Sequence, residues 1–142
     1  MTYGDKNFSG SIPDIYDEYL VPLIFMPYAA DMARRVADTN PTAVLETAAG
    51  SGVVTRALAP LLNENTRYVV TDLNQPMLDR AAGQQPNSDQ IEWVQADALD
   101  LPFEDQSFDA VCCQFGVMFF PDKIAGYKEA LRVLKKLSLI HI

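Results

Sequence analysis

At 142 residues the chain has the length of one domain, with enough apolar content for a real core. Its formal charge of −8 and the lack of a visible basic patch argue against a nucleic-acid backbone as main partner, because phosphate binding needs clustered Lys and Arg. The apolar stretch 20–30 is too short to span a bilayer and holds Pro22 and Pro27, so no membrane partner is expected.

The start of the chain, with Asp5, Asp14, Asp17 and Glu18, does not have the basic-then-apolar layout of a secretion signal. Residues 1–13 are polar with Gly and Pro and read as a loose lead-in. Residues 15–20 and 27–36 read as two helices meeting at a proline-broken segment. The second carries an apolar stripe of Ala30, Ala33, Val36 and Ala37, with Arg34 and Arg35 at its edge. This stretch, residues 1–40, is read either as helices packed on a sheet or as a lid over a ligand carrying Tyr16, Tyr19 and Phe25. Plain packing is the expectation for most of it.

Asn40-Pro41 ends the lead-in, and residues 41–136 form the main unit. Residues 43–45 are a short apolar run that reads as a buried strand closed by Glu46. Small residues follow, with Gly50 and Gly52 one apart. A side chain at either glycine would block the turn or hold a ligand off the backbone. Residues 53–62 have helical spacing, with Arg56 on the wet side and Pro60 shaping the end. The start of that helix offers N–H groups to an anionic group. Residues 67–71 form a second strand closed by Asp72, and Asn74-Gln75-Pro76 opens a helix through Met77, Leu78 and Ala81. A loop over 83–89 leads to a third strand, 91–95, closed by Asp97. A polar loop with Pro102 leads to a fourth strand, 108–115, and Asp122 caps a helix running to about Lys135. Strands alternating with helices predict an α/β fold: a parallel sheet with helices on both faces.

Glu46, Asp72 and Asp97 each close a predicted strand. In a parallel sheet these ends share one rim, where ligands bind. An acid after the second strand can take both hydroxyls of a ribose, and one after the third can accept from an adenine amino group. Each alone is equally well a cap or a turn residue; three in succession beside a glycine turn point to a nucleoside. NAD fits Asp72 but suits the turn less well. Thr55 stands where a dinucleotide fingerprint wants its third glycine, and Glu46 would repel a pyrophosphate. A ligand with a cationic group and no phosphates suits Glu46 better, and S-adenosylmethionine is such a ligand.

The chain resembles the class I S-adenosylmethionine-dependent methyltransferases. Glu46-Thr47-Ala48-Ala49-Gly50-Ser51-Gly52 is similar to the family's first motif. Val70-Thr71-Asp72-Leu73 with Met77, Leu78 and Ala81 resembles the second, in which the acid holds the ribose and apolar residues cover the adenine. Gln95-Ala96-Asp97-Ala98, followed by Leu101-Pro102-Phe103, resembles the third, in which the acid and the next residue meet the adenine edge. Ser107-Phe108-Asp109-Ala110-Val111 and Arg132-Val133-Leu134-Lys135 resemble the fourth strand and the helix after it. The likeness runs from about residue 40 onward, and the stretch 16–30 also looks like the lead-in of small-molecule methyltransferases of this group. It implies a Rossmann-like sheet, S-adenosylmethionine as cofactor and methyl transfer as the reaction. The cofactor site it implies comprises Glu46, Ala48, Gly50, Ser51, Gly52, Asp72, Leu73, Met77, Asp97, Ala98 and Gln114.

Two departures carry consequences. The family often has glycine where Ala48 stands. Beyond Lys135 the family continues with Pro-Gly-Gly and further strands, whereas here Lys136 is followed by Leu137-Ser138-Leu139-Ile140-His141-Ile142. That hexapeptide is what a sequencing-library adapter encodes in one frame. Residues 137–142 are therefore expected to be a non-native tail on a truncated chain that lacks the later strands, leaves strand 108–115 as an open edge and is inactive alone. No catalytic residue is assigned. His141, the sole histidine, lies in the tail. Gln114 and Phe115 end the fourth strand and could border the methyl group, with core packing the alternative for Phe115. Cys112 and Cys113 are adjacent, so they make a poor disulfide pair and read as packing; a reducing cytoplasm fits, and no metal cluster is expected. No Asn-Pro-Pro-aromatic signature of base or amide-nitrogen methylation is present, so with the acidic charge a small-molecule acceptor is expected. An NAD-linked oxidoreductase and a non-catalytic nucleoside-binding domain remain open beside it. The sequence does not specify an oligomeric state.

Overall fold

The structure, a computed structural model, describes residues 12–141. The lead-in over residues 1–11, the side chain of Tyr16 and the side chains of the predicted tail lie outside the described set. The core is a five-stranded sheet of β1 (Ala43–Glu46), β2 (Arg67–Asp72), β3 (Ile91–Gln95), β4 (Phe108–Cys112) and β5 (Leu134–His141). Their order is β3-β2-β1-β4-β5, and every pairing is parallel. The chain leaves β1 toward β2 and β3, then returns to the other side of β1 as β4. The carboxyl ends of β1 and β4 therefore flank the point where the winding reverses, which is where open α/β sheets bind ligands.

Successive strand residues face opposite ways, and each face has its own core. Val44 and Val70 meet Ala33 and Val36 of α2 (Met26–Asp38), Val54 and Leu58 of α3 (Val53–Leu58) and Leu78 of α4 (Gln75–Gln84). Leu45, Val69 and Val111 meet Ala130 and Val133 of α5 (Lys123–Val133) together with Leu101. All four residues of β1 are buried, as a central parallel strand covered on both faces must be. The caps follow the sequence. Asn74 accepts from the Met77 amide at the start of α4, and Asp122 accepts from the Ala125 amide at the start of α5.

Several boundaries differ from expectation. The chain is helical without a break from Ile12 to Asp38: α1 (Ile12–Ile15), a π-helical stretch (Tyr16–Phe25), then α2. Pro22 falls in the π-helical stretch, and Pro27 falls in the first turn of α2, where its missing N–H costs nothing. After α3 the chain tightens into a 3₁₀ turn at Ala59–Leu61, around Pro60. β4 stops at Cys112, not at residue 115, because Phe115 turns left-handed (φ 61°) into a 3₁₀ turn at Gly116–Phe119. α5 ends at Val133, and Leu134–His141 pairs with β4. The expectation of β4 as an open edge is thereby corrected: β4 is bordered on both sides, and β3 and β5 are the outer strands.

Arg132 near the end of α5 fixes the loop before β4. Its guanidinium donates to the carbonyls of Leu101 and Phe103 at 2.9 and 2.7 Å and to Asp105 and Glu129 at 2.8 Å. Replacing it with Met leaves two carbonyls without that donor. We expect a loss of about 1–3 kcal/mol in urea unfolding, with Arg132→Lys recovering less than half, because one ammonium cannot span both carbonyls.

Candidate functional site

The site is built at the carboxyl rim of the sheet, and its foundation is Glu46. This last residue of β1 is only 2% exposed, and its Oε2 accepts from the hydroxyls of Tyr68 (2.6 Å) and Thr55 (2.7 Å). Tyr68 lies on β2 and Thr55 on α3, so one carboxyl braces β1, β2 and α3. Thr71 Oγ1 donates to the Glu46 carbonyl, and the next amide, Thr47, donates to Cys112 on β4. Thr55, where a dinucleotide fingerprint would have glycine, is thus a partner of the acid. Neither Tyr68 nor Thr55 was expected at the site; a buried strand-end acid needs donors, and this is the signal that could have found them.

Burial is the largest influence on Glu46 and pushes its carboxyl up to about 7. Hydrogen bonds from Tyr68 and Thr55 pull it down, the charge of Asp72 raises it, and the charge of Arg56 lowers it.

The glycine turn follows. Ala48 (φ 51°), Gly50 (φ 59°) and Gly52 (φ 84°) are left-handed, and a Cβ on Gly52 would lie 2.8 Å from that of Ala81 on α4. The turn's amides are largely committed within the protein. Ala49 N donates to the Thr71 carbonyl, Gly52 N to the Ala49 carbonyl and Gly50 N to Asp72 Oδ2 at 2.8 Å. An anionic group at Gly50 would have to compete with a carboxylate already there. Arg56, expected in solvent, donates to the Ser51 carbonyl at 2.6 Å and to Gln84 of α4 at 2.9 Å, tying turn to helix. The Ser51 side chain is fully buried, and its Oγ has no hydrogen-bond partner among the described residues.

The remaining predicted residues follow along the rim. Asp72, at the end of β2, is 5% exposed, and its Oδ1 accepts from the Asn74 amide at 2.8 Å. Leu73 is half-buried, and Met77 on α4 is buried. Asp97, half-buried after β3, accepts from the Leu99 amide at 2.9 Å, and Ala98 is buried. Gln114 follows β4; its Nε2 donates to the Phe25 carbonyl at 3.1 Å, while its Oε1 is buried without a partner. All eleven predicted residues lie at or just beyond the ends of four adjacent strands or on α4. Burial raises both cysteine thiols, leaving them inert packing groups as expected. No metal cluster occurs among the described residues.

The N-terminal stretch packs on the sheet through α2, as expected for most of it. Ala29, Ala33 and Val36 of α2 are buried in the core. The preceding segment runs along the rim: Asp14 pairs with Arg80 of α4, and Phe25 packs on Phe115 with ring centroids 5.4 Å apart. Tyr28 meets the Phe115 ring edge-on at 5.6 Å. Phe115 is neither core nor loop filler: it is 37% exposed and held left-handed, at a cost of about 1–2 kcal/mol for a residue with a side chain.

Unfolded, Glu46 holds its proton to about 4.5; folded, to about 7. Between these values the folded state binds more protons, so this group's contribution to stability falls as pH rises from about 4.5 to about 7. Glu46→Gln should therefore gain on the parent over that interval, by on the order of 3 kcal/mol, in urea unfolding at pH 5 and pH 7.5. A pH-independent difference would contradict the buried-carboxyl account.

Residues 45–142 match the methyltransferase-domain family. A demethylmenaquinone methyltransferase of Clavibacter sepedonicus is 39% identical over 111 residues, covering 74% of this chain and 44% of that one. The ubiquinone/menaquinone biosynthesis C-methyltransferase UbiE of Hahella chejuensis is 38% identical over 95 residues, covering 65% of this chain and 38% of that one. The chain spans about two fifths of the length of these curated relatives. In fold it superposes on a Methanococcus maripaludis protein assigned as an S-adenosylmethionine-dependent methyltransferase, with a TM-score of 0.80 at 23% identity, covering 99% of this chain and 65% of that one. The methyltransferase CalH, solved with S-adenosylhomocysteine, gives a TM-score of 0.64 at 24% identity, covering 81% of this chain and 34% of that one. Nothing in these likenesses supports the oxidoreductase alternative. The Rossmann-like sheet, the acids at the ends of β1 and β2 and the family match together establish that the chain belongs to the S-adenosylmethionine-dependent methyltransferases.

Proposed function

We propose that this chain carries the cofactor-binding part of an enzyme that moves a methyl group from S-adenosylmethionine to a small, planar acceptor. The observation that carries the reading is the row of carboxylates Glu46, Asp72 and Asp97 at the ends of β1 and β2 and just after β3, beside a glycine turn whose Gly50 amide is committed to Asp72. The residues fit the cofactor. Asp72, which already receives the Gly50 and Asn74 amides, is the acid that would accept from the ribose hydroxyls. Asp97 and Ala98 would meet the adenine edge, and Leu73 and Met77 would cover its faces. Ser51 Oγ and Gln114 Oε1 are buried polar atoms that a bound ligand would satisfy. Glu46 sits where a cationic amino group would favour its ionised form.

When bound, the cofactor supplies an electrophilic methyl on a sulfonium. The chain's own contribution is position and dryness: placing an acceptor atom about 3 Å from the methyl, in line with the leaving sulfur, supplies much of the rate. Gln114, Phe115 and the two rings packed on Phe115, those of Phe25 and Tyr28, would border that place, and their rings favour a flat acceptor. The names of the curated relatives point to quinones as the acceptor class. The net charge of −8 favours such a small molecule over nucleic acid.

Calorimetry with S-adenosylhomocysteine and with NAD tests the cofactor reading: the first should bind and the second should not. Asp72→Ala should weaken S-adenosylhomocysteine binding by about 1.5–3 kcal/mol, because two ribose hydroxyls lose a charged acceptor. Unchanged affinity in that variant would remove Asp72 from the site.

A further inference from the structure

Gly116 opens the turn after β4, and it is buried directly against the glycine turn after β1. A Cβ built on Gly116 would lie 2.4 Å from the Ala48 Cβ and 2.9 Å from Cys113 Sγ, closer than real Cβ atoms come. Ala48 is itself left-handed. The space that a glycine at position 48 would leave open is filled by the alanine methyl. That methyl is accommodated only because position 116 has no side chain. The two residues face each other across the crevice between β1 and β4, where the winding of the sheet reverses.

The contact belongs to a third, small core under the rim. Ala98, Cys113 and Phe120 are buried there, with Ala48, Leu99 and Val117 packed against them. These residues come from the loops after β1, β3 and β4. Burial raises the Cys113 thiol, and the neighbouring Thr47 side chain and the backbone at Gly116 and Val117 pull it down. Phe115, immediately before Gly116, is held in a left-handed conformation that its own preferences oppose.

We infer that Gly116 is a positioning residue: through the Ala48 methyl it locks the turn bearing Gln114 and Phe115 to the glycine turn, so that the cofactor side and the acceptor side of the site hold one relative geometry. This rests on the cofactor reading above. It makes Ala48 and Gly116 a matched pair, in which a side chain can be added at one position only if it is removed at the other.

The test uses the full 142-residue chain with S-adenosylhomocysteine as probe, in the parent, Gly116→Ala, Ala48→Gly and the double variant, with far-ultraviolet circular dichroism as the folding check. Gly116→Ala should weaken binding at least tenfold, and the double variant should recover at least half of that loss on a logarithmic scale. Thiol reaction with 5,5′-dithiobis(2-nitrobenzoate), measured without any ligand, should be slow in the parent, faster in Gly116→Ala and slow again in the double variant. Parent-like binding and thiol protection in Gly116→Ala overturn the inference, as do equal losses in the single and double variants. If Gly116→Ala does not fold, a folded, binding double variant supports the pairing and an unfolded one overturns it. A parent chain that fails to bind S-adenosylhomocysteine contradicts the cofactor reading, and the thiol pattern then still decides the interlock.

Discussion

A carboxyl group buried where β1 ends has to be satisfied by its surroundings, and at Glu46 the surroundings are three different elements. Tyr68 from β2 and Thr55 from α3 donate to one oxygen, and the peptide group that follows is pinned to Thr71 and to Cys112. Removing a charge-bearing group from water is costly unless it is hydrogen-bonded or neutralised. Both remedies operate here: two hydroxyls approach, and burial raises the carboxyl to about 7. The glycine turn starts from this fixed point. Its direction is set by the strand below it, and its far end is held by Arg56 across to α4.

The rest of the rim inherits that geometry. Asp72 can receive the Gly50 amide because β1 and β2 are paired in parallel register, Glu46 opposite Val70. Asp97 follows because β3 is paired with β2, Asp72 opposite Gln95. The same pairing on the other side brings the turn after β4 under the glycine turn. Parallel pairing therefore does for function what no single motif does: it turns residues scattered over seventy positions of chain into one row. The N-terminal helical stretch meets this rim at Arg80 through Asp14, and at Phe115 and Gln114 through Phe25.

Much of this was legible in the sequence, and for a local reason. Short β-branched runs closed by acids mark strands and their carboxyl ends, and Asn74 and Asp122 announce the helices they cap. What was not legible depends on partners far along the chain. Arg56 looks like a solvent residue until Gln84 arrives beside it. Tyr68 looks like plain core until register sets it against Glu46. Phe115 continues an apolar run, so its sequence reads as strand; the left-handed turn at Phe115, with Gly116 packed against Ala48, takes the chain out of the strand. The last strand was missed because residues 134–141 were read as helix end and tail, while their pairing with β4 is set by a neighbour some twenty-five residues earlier.

Amide hydrogen exchange of the whole chain, with and without S-adenosylhomocysteine, tests the central claim most directly: that the ligand is held by the carboxyl rim braced on Glu46. The account predicts added protection confined to residues 46–52, 72–77, 97–99 and 113–117. It predicts none at the opposite end of the sheet, where the loop over 85–90 enters β3. Protection at that opposite end, or none at the glycine turn, would contradict it.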